Sequence, residues 1–172
     1  MDPPLFCTWT LYVHYEVECG QVYTSKYKKL RKFDTIMGFW YTFKALPDPD
    51  VLCEGRAIHN GSQIVGYSIF RDDITPEWEH PMNSPGYDIC TRFDDLKYVT
   101  NTWRDICLAA IGNRLDCLGM RLVCKPNPRR LHVKQEVWFD QHSDPDDMFK
   151  LILQETPGHL RWNLNYHAVF HH

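Results

Sequence analysis

Residues 7–18 are rich in aromatic and β-branched side chains (Trp9, Leu11, Tyr12, Val13, Tyr15, Val17), which predicts a strand. Residues 22–26 are expected to pair with it across a turn near Gly20. Asp34 or Thr35 can cap a helix that runs to about Lys44. On that helix Phe39, Phe43 and Leu46 share one stripe, while Ile36 and Trp40 mark its edge and extend outward with Met37. Pro47, Pro49, Gly55, Gly61 and Gly66 predict a long loop over 47–66. Strands follow over 65–71 and 87–93. A second helix starts at Thr100 or Asn101 and reaches about Leu115, with Trp103, Ile106, Ala110 and Ile111 at helical spacing. Strands over 119–125 and 130–139 flank the turn Lys125-Pro-Asn-Pro-Arg-Arg130. A third helix fits 145–154, ended by Pro157-Gly158, and 160–170 reads as a last strand. Hairpins interleaved with three helices predict an α+β fold with a largely antiparallel sheet.

At 172 residues, 44% hydrophobic and 14% aromatic, the chain suits one ordered domain over 1–172, with 47–66 inserted as a loop. The net charge of −3 makes long-range attraction to a nucleic-acid backbone a minor source of affinity. A reader of one terminal nucleotide tolerates that balance better than a protein coating long RNA. Seven cysteines, without a Cys-x-x-Cys pair, sit mostly among apolar neighbours and read as reduced small hydrophobes. No basic leader followed by an apolar run is visible, and no stretch is long enough to span a membrane, so a cytoplasmic location is expected, with a nuclear pool compatible. Asp72-Asp73, Asp94-Asp95 and Asp144-Pro-Asp-Asp147 lack the pairing of a metal-dependent hydrolase, and no phosphate loop or nucleophile elbow is present. A non-catalytic binding protein without metal or cofactor is the expectation.

The chemistry concentrates at Trp78-Glu79. Guanine presents N1–H and an exocyclic amine that one carboxylate can accept together. Methylation at N7 makes the base cationic, and an indole stacked on it gains about 1–2 kcal/mol when desolvated. An aromatic beside an acid therefore fits a reader of 7-methylguanine, whereas the dipeptide alone also fits a buried Trp beside an exposed Glu.

Three segments in order, Lys32 to Trp40, Tyr67 to Glu79 and Trp103 to Gly112, resemble the cap-binding translation initiation factor 4E family once an insertion is allowed between Leu46 and Gly66. The resemblance implies a curved sheet with about three helices on its convex face. It implies that Trp78 stacks on the cap base, that Glu79 binds guanine, and that Tyr23 stands where the family usually carries the second stacking Trp. Lys125 and Arg130 match basic positions that hold the phosphates, and Arg129 is a neighbour able to substitute. The Trp that often touches the N7-methyl falls near Lys134, with Trp138 four residues on along the same strand face; Asp88 stands where an Arg is common. Pro4, Ile36, Trp40, Asp105, Leu108 and Gly112 match a dorsal surface that receives a helical Tyr-x-x-x-x-Leu-Φ motif from the 4G scaffold or a repressor. Arg104 replaces an apolar residue there.

The implied function is binding of the 7-methylguanosine 5′ cap of mRNA and recruitment of a scaffold for translation initiation. The alternative is a 4E-like protein with weak or no cap binding that acts through its partner surface in repression or storage.

Overall fold

The computed structural model describes residues 2–16, 27–125 and 131–167. Its frame is an antiparallel sheet in the order β2-β1-β4-β6-β7-β5-β8, with β3 added on β4. The strands are β1 (Pro4–Tyr15), β2 (Tyr27–Thr35), β3 (Ile58–His59), β4 (Ser62–Arg71), β5 (Tyr87–Phe93), β6 (Gly119–Cys124), β7 (Val133–Phe139) and β8 (Trp162–Tyr166). Among the described residues the α-helices are α1 (Ile36–Lys44), α2 (Pro49–Cys53), α3 (Val99–Ile111) and α4 (Pro145–Glu155).

Alternation along the strands divides the apolar side chains between the two faces. Trp9, Leu11 and Val13 of β1, with Val133, Val137 and Phe139 of β7, join Phe39, Trp103 and Ile106 in the main core under the helices. The intervening residues point to the concave face, where Tyr12, Phe70, Ile74, Leu118 and Trp138 form a second apolar cluster against which Tyr27 and Trp78 pack. Central strands covered on both sides explain why β1 reads as a nearly continuous apolar run.

The α+β class and the antiparallel curved sheet agree with the expectation, and Thr35 caps α1 through its hydroxyl to Gly38 N–H at 3.0 Å. Two boundaries differ, and a third expectation falls outside the described residues. Strand β1 pairs with β2, through Trp9–Phe33 to His14–Tyr27, whereas residues 22–26 lie outside the described set. As an edge strand β2 is solvated along most of its length, so Lys28-Lys29-Leu30-Arg31-Lys32 carries no alternation to read. The expected loop over 47–66 contains α2, β3 and the start of β4; Pro49 sits at the helix start, where its missing N–H costs nothing. Helix α3 ends at Ile111 instead of Leu115, and Gly112 caps it by donating its N–H to Leu108 O at 3.0 Å.

Candidate functional site

The β4–β5 connection carries Trp78-Glu79 over the concave face, and Asn83 fastens it there. Buried Asn83 donates its amide to Thr75 O at 2.9 Å and to Glu77 O at 2.7 Å. At Gly86 the loop returns against β7: an added Cβ would meet Phe139 O at 1.9 Å, so any side chain there would lift the segment.

Half-buried Trp78 rests on Trp138, with ring centroids 4.4 Å apart and planes at 32°. The buried ring of His167 meets it edge-on at 3.6 Å. Glu79 is exposed to solvent beside it. Glu77, two residues earlier, accepts the Tyr27 hydroxyl. Tyr27 packs edge-to-face on Tyr12 at 5.6 Å, which brings the start of β2 to the same place. Trp138 has no exposed surface, so it is the floor under Trp78 and not a wall open to a ligand.

His167 has acceptors at both ring nitrogens: Asn83 O lies 2.9 Å from Nδ1 and Asp88 Oδ2 lies 3.1 Å from Nε2. Nδ1 therefore donates to the carbonyl, and Nε2 faces the carboxylate. Asp88, which also accepts from Asn165 Nδ2 at 3.1 Å, ties β5 and β8 to the Trp78 loop. The position where the resemblance expects an Arg thus serves a buried acid's structural bond.

Beyond Trp138 the concave face turns cationic. Arg92, Arg121, Val123, Lys125, His132, Lys134 and Glu136 line a pocket of about 390 Å³. The cations come from three adjacent strands, because alternate residues of β5, β6 and β7 face the same side. Glu136 is 2% exposed and receives Arg121 Nε and Nη2, each at 3.1 Å, Lys134 Nζ at 3.0 Å and Trp138 Nε1 at 2.8 Å. Burial alone would raise its carboxyl, but Arg121, then Lys134, outweigh it and hold the group down at about 2. Arg121 also lies over the Trp138 ring at 5.3 Å, so the aromatic floor and the basic pocket are joined by one side chain. His14, 2.6 Å from Ser68 Oγ, is lowered to about 3 by burial and then by Arg121.

The structure therefore brings Trp78, Glu79, Trp138 and Lys125 to one face. Tyr23, Arg129 and Arg130 lie outside the described residues. The same face also holds Arg92, Arg121 and Glu136, which sequence did not single out, although the i, i+2 pattern of polar residues at 134 and 136 in a buried strand was a signal.

On the other side, Ile36 is 38% and Met37 66% exposed. Half-buried Trp40 and Leu108 pack against the same core. Pro4 and Gly112 are exposed. Asp105 is engaged by its neighbour Arg104 at 3.2 Å. The described residues hold no cluster of three or more His, Cys, Asp or Glu suited to a metal, and no helix is long and apolar enough to cross a membrane.

The family model for eukaryotic initiation factor 4E matches residues 4–169. The chain belongs to that family. An initiation factor 4E of Dictyostelium discoideum is 28% identical over 139 residues, covering 78% of this chain and 51% of that protein. Initiation factor 4E-1 of Caenorhabditis elegans is 28% identical over 159 residues, covering 88% and 70%. The chain thus spans about half of the first relative's length and 70% of the second's. Among solved structures, the complex of C. elegans initiation factor 4E-3 with the 4E-binding protein Mextli superposes with a TM-score of 0.76 at 18% identity, covering 98% of this chain and 96% of that one. Schistosome initiation factor 4E complexed with m7GpppG and 4E-BP gives 0.73 at 20% identity, covering 95% and 89%. At such identity these likenesses establish the shared 4E-family fold.

Proposed function

We propose that the chain binds the 7-methylguanosine 5′ cap of mRNA on the concave face and recruits a protein partner on the helix face. The observation that carries this reading is Trp78 beside exposed Glu79, one ring away from a pocket lined by four cations. The indole stacks on the cationic base, and Glu79 accepts N1–H and the exocyclic amine. Lys125, Arg121, Lys134 and Arg92 hold the phosphates, the arginines in bidentate fashion and the lysines as point charges. No bond of the bound nucleotide changes in this role: the site orients and retains. Family membership supports it, as do the cap analogues and 4E-binding proteins held by family members of the same fold.

The partner surface is Ile36, Met37 and Trp40 of α1 with Asp105, Leu108 and Gly112 of α3. It offers exposed apolar side chains with an acid beside them to a helical Tyr-x-x-x-x-Leu-Φ segment of a 4G-like scaffold or a repressor. Arg104 holds Asp105 and sets which partners can claim that acid.

A second reading rests on Trp78 itself. Its ring is already packed on Trp138 and against His167, so a base must use the remaining face or displace these contacts. That geometry favours a member with weak cap binding that acts through its partner surface in repression or storage. Titration with 7-methyl-GTP and GTP, followed by Trp fluorescence, separates the two. Saturable quenching by the methylated nucleotide, with GTP much weaker, supports the cap reader; no quenching by either leaves the partner-only reading.

A further inference from the structure

The cysteines are where the molecule departs from what its composition suggests. Cys53 ends α2, in the segment that reads as a loop, and is half-buried. Cys124 ends β6 and has no exposed surface. Their sulfurs lie 3.3 Å apart, although 71 positions separate them in the chain. Both also face the Pro49 carbonyl, at 3.2 Å from Cys53 Sγ and 3.9 Å from Cys124 Sγ. Helix α2 packs on β4, β6 and α3, so the approach is fixed by tertiary packing and not by a loose tail. A disulfide needs about 2.0 Å between sulfurs, so about 1.3 Å of approach closes it.

We propose that Cys53 and Cys124 are an oxidant-responsive dithiol that closes to an intrachain disulfide, clamping α2 to the end of β6 beside Lys125. The inference is independent of cap binding. The oxidant is hydrogen peroxide, and Cys53 meets it because it is the more accessible of the two. The Cys53 sulfur attacks one peroxide oxygen; the O–O bond breaks, the thiol proton leaves with the other oxygen, and Cys53 becomes a sulfenic acid with release of water. Cys124 then attacks the sulfenic sulfur, the S–O bond breaks, and a second water carries off the Cys124 proton. Two thiols are oxidised by two electrons and one peroxide is reduced. In the resting pair, hydrogen bonding within the Cys53–Cys124 couple, then burial, keeps Cys124 protonated, its thiol held well above the ordinary range. At rest in a reducing compartment both remain thiols.

The test is titration of the folded chain with hydrogen peroxide, thiol blocking, and tryptic mapping without reductant. Cleavage after Lys44, Arg56, Arg121 and Arg129 places Cys53 in peptide 45–56 and Cys124 in peptide 122–129, each with one cysteine. The expected product is these two peptides joined, two hydrogens lighter than their sum and separated by dithiothreitol. Closing so long a loop should also raise Tm by roughly 10 °C. Cys53→Ser, a change at a half-exposed position, should abolish both the joined peptide and the shift. Recovery of Cys53 as sulfinic acid, or joined to a different cysteine, while peptide 122–129 stays a free thiol, overturns the proposal.

Discussion

Replacing Glu136 with Gln preserves shape and removes the charge on which the concave face is organised. The carboxylate takes Arg121 twice, Lys134 once and the Trp138 indole. The amide leaves the two cations without their anion and turns a donor toward them. Depression of the carboxyl from 4.5 to about 2 corresponds to about 3 kcal/mol of native stability at pH 7. Because the folded value lies below the unfolded one, this stability is full above pH 4.5 and is lost as pH falls through 2. The gap between wild type and Glu136→Gln should be about 3 kcal/mol at pH 7 and about 1 kcal/mol at pH 3, by urea denaturation at both values. The same change frees Arg121 and Lys134 for phosphate, so 7-methyl-GTP and GTP should both bind several-fold more tightly. Equal stability of the two proteins at pH 7, or a gap that does not narrow in acid, would refute the assignment of Glu136 as the charged centre of this face.

Glu79→Ala should weaken 7-methyl-GTP by tenfold or more in a fluorescence titration, since each charge-assisted bond it makes is worth about 1.5–3 kcal/mol; unchanged affinity removes base readout from Glu79. Asn83→Ala should destabilise by about 2 kcal/mol and loosen the Trp78 loop, seen as lower Tm together with weaker quenching; a drop in Tm with binding intact would confine Asn83 to stability. His14 is held neutral at about 3 against an unfolded value near 6.5, so the unfolded chain takes up a proton first and stability falls as pH drops from 6.5 toward 3. The loss at pH 5 is at most about 2 kcal/mol, and His14→Gln should flatten that slope in denaturation at pH 7.5 and 5.

Elements that obey one period were legible from sequence: β1, β5, β7, α1 and α4 were all located by their apolar spacing or caps. What escaped obeys tertiary logic. β2 is an edge strand whose lysines face water, so only its pairing with β1 makes it a strand. The segment 47–66 is punctuated by Pro and Gly, yet Leu52 is fully buried, and that anchoring lets α2 form. The site divides in the same way. Trp78-Glu79 and Lys125 became candidates because their local order matches a family. Arg92 and Arg121 did not, and Lys134 was noted only as a register position, because strands far apart in sequence bring them together and no local window contains the register Arg92–Lys134 or Arg121–Glu136.

That register also bears on how strongly the face can act. An anion entering the pocket meets Arg121 and Lys134 already bound to a buried carboxylate, so it shares them with Glu136 and does not find bare charge. If the proposed cap reading holds, affinity from phosphates is damped and discrimination falls more heavily on Trp78 and Glu79 at the rim. The indole, for its part, must leave or share its packing on Trp138 to take a base. Both ends of the site thus trade an internal contact for a ligand contact, and Trp138 couples them: its ring carries Trp78 and Arg121, and its N–H binds Glu136. On the proposed reading, a base that shifts Trp78 moves the ring on which Arg121 rests, which would tie base recognition to phosphate recognition through one buried tryptophan.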